Sequence, residues 1–565
     1  MRTERKSSMK KIFNSRALAL ILVLAMAVSL LTISASATTI SKVSIAEGEP
    51  VAIDWTQAGT TYTGTIVNSA TLSSTVYSMP SSFTLWTEGE ATFEAGTGIT
   101  VTAIGASADE TNYSYKVDVS GIASGSTATL VVTISSGTYT VALPSATPIS
   151  AGGTKPTSVL SYAPLGQFAR GNGWGSIYSN YANVAGSTAS DALVKFATGT
   201  GYESTGVSLG AFGGYIDFYF QGGITNDAKN PYGVDFVIYG NAFNANPEAG
   251  AVQVSEDGIT WYELAGSMYY DGNFNYTGEA GASRISNAYT GTLRNATISY
   301  SQDSVIKATV KDASGATKIN AAQFVASTAW WPTVAKGYPA IAAHINSNAT
   351  STSNVQVTCN DTVFSSTGVT LIPDSNTTAD YAFGYADVTP NGSPATYGDA
   401  INPYTPYTSS KTGGDGFDLE WAVDITTGLP VDVTDMTFRY VRVYSAVLDN
   451  GTFGETSTEI CGIFTTANKE TASIGRTDAP TIKFGTRTLN EVTGHQNGGY
   501  VSQTVSGSSF KVSVTSDADN IFINGTRATS GTAVTISKTA ESNQVVRIIV
   551  QNNNQLPYVT YLKIN

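Results

Sequence analysis

The chain has 565 residues and carries 30 Lys and Arg against 43 Asp and Glu, a net charge of −13. Only 13% of it is charged, so Ser, Thr, Asn and 55 Gly supply most of its polarity. The acidic balance argues against nucleic acid and anionic lipid surfaces as partners, and the length is too great for one hydrophobic core.

Residues 1–37 read as a secretory signal peptide. Arg2, Arg5, Lys6, Lys10, Lys11 and Arg16 make a basic region, Ala17 to Leu31 is apolar, and Ala35-Ser36-Ala37 is a small-residue cleavage site. The alternative is an uncleaved anchor, for which the apolar stretch is short. Without its six basic residues and one acid, the chain keeps 24 Lys and Arg against 42 Asp and Glu, a net of −18. The expectation is a secreted, extracellular protein, free or retained at the cell surface, with no membrane insertion after signal cleavage.

From residue 38 the pattern is all-β. Residues 38–150 hold the runs TYTGTIV, SFTLW, YSYKVDV, ATLVVTI and TYTVAL, parted by turn residues at the spacing of an immunoglobulin-like β-sandwich. Pro144 to Ser158 is rich in Pro, Gly and Ser and reads as a linker. Residues 159–470 form a central unit. Within it VSLGAFGGYIDFYF, YGVDFVIYGNAF and VQVSEDGITWYELAGS alternate apolar and polar residues at period two, as successive antiparallel strands with one buried face do. Residues 478–565 contain SFKVSVTS, NIFINGT, AVTISK, QVVRIIVQN and YVTYLKI, a further small sandwich. No helix-period segment and no repeat of fixed period follows the signal peptide. Cys359 and Cys461 permit one disulfide, closing a loop of about 100 residues; two buried thiols are the alternative.

Specific pieces carry a resemblance. The hairpin Val252–Glu263, with Ser255-Glu256-Asp257-Gly258 at its turn and Trp261 after it, resembles the S-x-D-G-x-x-W hairpin of galactose-binding-like (discoidin-type) jelly rolls. Phe438-Arg439-Tyr440-Val441-Arg442-Val443 is similar to a late strand of those domains. Tyr162–Phe168, Val207–Tyr215, Tyr239–Phe243, Trp261–Ser267, Phe417–Asp424 and Gly454–Glu459 together resemble, in order, a family of uncharacterised bacterial cell-surface proteins. The C-terminal segment resembles cadherin-like β-sandwich modules. The resemblance implies a central jelly-roll-like sandwich, with Trp261 and Trp421 in its core. The unit is longer than one such domain, so it carries insertions or fuses two sandwiches.

Enzyme motifs are missing from the sequence. The two His, His344 and His495, are far apart, and no G-x-S-x-G, P-loop or H-E-x-x-H occurs. The remaining route is a carboxylate pair. Along Phe417–Val423 the apolar side chains alternate with Asp418 and Glu420, which the pattern places together on an outward strand face. They are a catalytic pair, a Ca²⁺ site or a solvated face.

Hard-cation ligands are the next candidates. Jelly rolls often fix a loop with Ca²⁺ held by carboxylates and carbonyls. Asp235, Asn241, Glu248, Asp424, Glu455 and Glu459 lie near predicted loops, with Glu455 and Glu459 flanking the Gly-rich turn of NGTFGETSTE. The alternative for each is hydrogen bonding to backbone N–H groups. Aromatic platforms for sugar rings are expected at Trp174 in a Gly-rich loop, Trp330 and Trp331 before Pro332, and Tyr404 and Tyr407 in INPYTPY. The sequence therefore predicts a non-catalytic binding protein for a glycan or cell-envelope polymer. Capture of a small metabolite for uptake, a carbohydrate-active enzyme and a purely structural surface protein are the alternatives.

Overall fold

A computed structural model of the chain describes residues 42–46, 49–68, 79–107, 111–146, 155–163, 207–210, 212–242, 247–270, 274–276, 289–294, 296–302, 306–322, 355–358, 361–364, 383–389, 397–405, 414–447, 450–451, 454–489, 500–539 and 544–565. The protein is an all-β, multi-domain sandwich. Among the described residues the only helices are two single 3-10 turns, Pro231–Gly233 and Leu419–Trp421. None is long and apolar enough to cross a membrane.

Period-two alternation builds the N-terminal part. In Ser82–Glu88, Phe83, Leu85 and Thr87 are buried while their neighbours are half-buried or exposed. One sheet runs Val43–Ile45, Ser82–Glu88, Asn112–Asp118, Thr100–Ala106. The other runs Val51–Ala58, Thr61–Asn68, Gly137–Pro144, Thr127–Ile134, Thr92–Ala95. Val43, Phe83, Leu85 and Val117 of the first pack against Leu130, Val132, Tyr139 and Val141 of the second. Each such buried side chain contributes about 1.5–3 kcal/mol.

The central unit is a second sandwich. Its larger sheet orders Ser158–Ala163, Tyr215–Ile224, Phe438–Ser445, Gly250–Ser255, Trp261–Leu264 and Ala422–Asp424. The facing sheet orders Asp415–Phe417, Phe236–Tyr239 and Gly462–Thr465. Ile216, Phe218, Val252, Val254, Val441 and Val443 meet Phe236, Ile238, Phe417 and Ile463 between them. Between Trp261–Leu264 and Asp415–Phe417 the chain also forms an antiparallel sheet of Thr297–Gln302, Ile306–Lys311, Thr317–Ala322 and Val355–Thr358.

The hairpin forms as its sequence predicts. Ser255 pairs with Trp261, and Asp257 Oδ1 accepts from the amides of Ile259 and Thr260 at 2.8 and 2.7 Å. Trp261, however, is not core. Leu264 is buried on the inner face and Trp261 is half-exposed on the other, where its ring lies 4.3 Å from the Arg442 guanidinium. Trp421 is fully buried, as expected.

The C-terminal sandwich has one sheet of Thr481–Phe484, Arg487–Thr488, Ser509–Thr515 and Ala533–Ser537, and another of Val501–Gln503, Tyr558–Ile564, Gln544–Gln551, Asn520–Ile523 and Thr526–Arg527. The second sheet is covered on both faces. Val546, Ile548, Val550 and Leu562 pack inside the C-terminal sandwich, while Val545, Ile549, Val559, Tyr561 and Phe522 join the central core. Buried Arg547 fastens the seam by donating to the carbonyls of Ala265 and Gly266. That double burial explains the near-continuous apolar run QVVRIIVQ.

Candidate cation site

Three loops converge beside the facing sheet. Glu459 opens the short strand Glu459–Ile460, paired with Val207–Ser208. Glu248 sits just before Gly250–Ser255. Asp387 lies in the segment 383–389, bridged to this strand through Ala386 and Gly250. One carboxylate oxygen from each of Glu248, Asp387 and Glu459 lies within 4.8 Å of the others.

The backbone holds this arrangement closely. Asp387 Oδ1 accepts from the amides of Asn241 and Ala242 at 2.6 and 2.8 Å, and Oδ2 accepts from the Glu459 amide at 2.8 Å. Asp387 adopts φ 59°, in the left-handed region. A Cβ at residue 240 would stand 2.1 Å from Asp387 Oδ1, so Gly240 is what lets the carboxylate reach these amides. Ser208 and Ser457 hydroxyls lie 2.8 and 2.7 Å from Glu459 Oε1.

Charge decides what the cluster can hold. Asp387 and Glu459 are buried and Glu248 is half-buried. Burial and the neighbouring carboxylates push Glu248 and Asp387 well above the usual carboxylate range; burial pushes Glu459 up against its hydrogen bonds. Three such groups cannot all ionise together unless a cation offsets the repulsion; without one they share protons. The donors are all oxygen, which suits a hard cation such as Ca²⁺ over a thiolate- or imidazole-seeking metal. Glu248 opens the cluster towards solvent.

Of the residues expected to ligate a cation, the structure brings Glu459 and Glu248 together, and Asn241 contributes a backbone amide to the same cluster. Asp235 does not join it. Its two oxygens accept from Asn230 Nδ2, the Asp227 amide and the Leu419 amide, and burial above all lifts its pKa to about 7. Asp424 closes a turn by accepting from the Thr427 amide and hydroxyl. Glu455 lies in the two-residue strand Gly454–Glu455, paired with Asn450–Gly451. Asp387 was missed: it sits in a loop, 72 residues from Glu459, with no spacing to announce it.

The aromatic candidates fare differently. Tyr404 is fully buried and its hydroxyl accepts from Trp421 Nε1 at 3.0 Å, so it offers no ring face to a sugar. Trp174, Trp330, Trp331 and Tyr407 lie outside the described residues, as does Cys359. Cys461 is buried. The outward strand face expected at Asp418 and Glu420 is also corrected. Asp418 Oδ1 accepts from the Glu420 amide at 2.8 Å and turns the chain into the 3-10 turn Leu419–Trp421, burying both acids. No protein-family model matches the chain, and no curated protein matches it.

Proposed function

We propose that the protein is a secreted, non-catalytic recognition protein of the cell surface. Its galactose-binding-like central sandwich takes carbohydrate or cell-envelope polymer, and Ca²⁺ at Glu248, Asp387 and Glu459 fixes the loops at one edge. The observation that carries the cation is the triple carboxylate within 4.8 Å. Ca²⁺ takes about 6–8 oxygen ligands, so three side chains leave positions for water or ligand hydroxyls. The carbohydrate reading rests on the resemblance of the central unit to galactose-binding-like sandwiches, carried by the hairpin Val252–Glu263.

Two measurements on the full chain test this. Millimolar Ca²⁺ should raise the melting temperature relative to excess chelator, because a ligand that binds only the folded state stabilises it; identical melting curves would remove the cation. Glycan arrays and cell-wall pull-downs should show binding without release of products. Blank arrays together with tight capture of a small metabolite would replace carbohydrate by uptake, and product release would replace binding by catalysis.

A further inference from the structure

A cavity of about 230 Å³ lies at the seam of the central and C-terminal sandwiches. Asn226 and Asp418 line it from the central side, Leu556 and Pro557 from the C-terminal side, and Glu420 and Arg476 lie between. Arg476 grips Glu420 with two hydrogen bonds of 2.9 and 2.6 Å and also donates to the Pro557 carbonyl. Asn226 Nδ2 donates to Glu420 Oε1 at 3.2 Å.

One polar atom there has no partner among the described residues. Asp418 is 1% exposed, and while Oδ1 caps the 3-10 turn, Oδ2 accepts nothing. Buried polar atoms are almost always hydrogen-bonded, and an orphan asks for an explanation. The space beside it is kept clear by the backbone. A Cβ at position 233 would stand 2.6 Å from Asp418 Oδ2, and Gly233, at φ +80°, has none.

We propose that this cavity binds one small, neutral, hydroxyl-rich ring, a single sugar unit, with Asp418 Oδ2 and Asn226 as its polar contacts and Leu556–Pro557 as its apolar wall. The choice of a sugar rests on the carbohydrate reading above; the site itself rests on the cavity. Charge selects the class. The Arg476 guanidinium already sits on Glu420, where a metal would have to go, and an anion would face the carboxyls of Asp418 and Glu420. A neutral ligand with hydroxyls that both donate and accept meets neither objection. Burial first, then the charges of Glu420 and Asp235, raise the Asp418 pKa above the ordinary value. Pockets for larger ligands run from about 300 Å³ upward, so the size fits one ring rather than a chain.

The experiment is titration calorimetry of the full chain with a panel of neutral monosaccharides, repeated on Asp418→Asn and Asn226→Ala. At least one sugar should bind one-to-one, and each substitution should weaken it roughly tenfold, the scale of one lost hydrogen bond. Asn226 is half-buried, and Arg476 still holds Glu420 with two hydrogen bonds in its absence, so Asn226→Ala should remain folded and decides the matter if Asp418→Asn fails to fold. A sugar bound equally well by Asn226→Ala overturns the cavity and leaves the carbohydrate reading standing. Polymer binding with no monosaccharide binding does the same. No saccharide or envelope polymer bound by the unaltered chain overturns both.

Discussion

The acidic cluster at Glu248, Asp387 and Glu459 and the acidic seam at Asp235, Asp418 and Glu420 are built from the same residue types, and both are largely buried. Their neighbours differ. The seam contains Arg476, which neutralises Glu420 by direct contact at 2.6 Å. The cluster is held by backbone amides and serine hydroxyls. Amides and hydroxyls stabilise a carboxylate but bring no full positive charge, so the cluster must keep protons or take up a cation, while the seam has Arg476. Buried acids therefore signal a cation site only where no guanidinium has been folded in beside them.

The sharpest way to break this contrast is to remove the seam's cation. Arg476→Met leaves Glu420, 3% exposed, without its counter-charge, and should cost about 3–5 kcal/mol of stability. Adding Glu420→Gln to the same chain should recover much of that loss in urea unfolding; no recovery would show that Arg476 matters mainly through the Pro557 carbonyl.

The cluster should behave in the opposite sense. Glu459→Gln should stabilise the chelated protein and abolish the Ca²⁺-dependent shift. For the unaltered chain that shift is about 2.7 kcal/mol at a hundredfold excess over Kd. Calcium should also bind more tightly as pH rises. The carboxyl pKa values there are all raised, so protons compete with Ca²⁺ for the cluster, and calorimetry in buffers of different ionisation heat would count those released.

Glu263 is a third case, a buried acid served only by neutral donors, Gln253 Nε2 at 2.8 Å and the Tyr444 hydroxyl at 3.0 Å. Burial, offset in part by those bonds, lifts its pKa from 4.5 to about 8. A folded-state pKa above the unfolded one means that the folded protein holds the extra proton. Stability from this group is full below about 4.5 and is lost as pH rises towards 8, by up to about 1.4 kcal/mol per pH unit. Glu263→Gln should flatten that part of the pH profile. Its amide has a ready acceptor in Gln253 Oε1, which otherwise receives no hydrogen bond among the described residues.

The smallest effect belongs to the half-exposed pair. Arg442 forks Asp217 at 2.7 and 2.9 Å and lies 4.3 Å from the Trp261 ring and 4.6 Å from Tyr215. Trp261→Leu should cost about 1 kcal/mol, since water already screens the guanidinium. A loss of several kcal/mol would mean that the indole belongs to the core after all.

These cases show where the sequence was legible. Strands were, because alternation such as Phe83, Leu85, Thr87 records which face is buried. Trp261 was legible too, had the same rule been applied. With Leu264 inward, residues 261 and 263 share the other face, so the indole and Glu263 are neighbours there. Asp418 and Glu420 were misread because alternation says nothing of a second layer. Their face is covered by Arg476 and Pro557 from beyond the unit, and one side-chain cap turns a strand pattern into a 3-10 turn. The cation site was half legible. Acids near Gly-rich turns pointed to Glu248 and Glu459, but Asp387 enters only through tertiary contact with the backbone at Asn241.

The sheet shared by two cores bears on the order in which this chain becomes a protein. Phe522, Val545, Ile549, Val559 and Tyr561 complete the apolar filling of a sandwich whose other strands begin at residue 158. These residues follow the rest of that sandwich in the chain and are synthesised after it. The central sandwich must therefore wait, with part of its interior open to water, until residues 522–561 arrive. Arg547 then closes it onto the carbonyls of Ala265 and Gly266. A nascent chain stalled or clipped before residue 545 would present that open interior to chaperones and proteases, so an incomplete copy would be recognised by its centre rather than by its missing end.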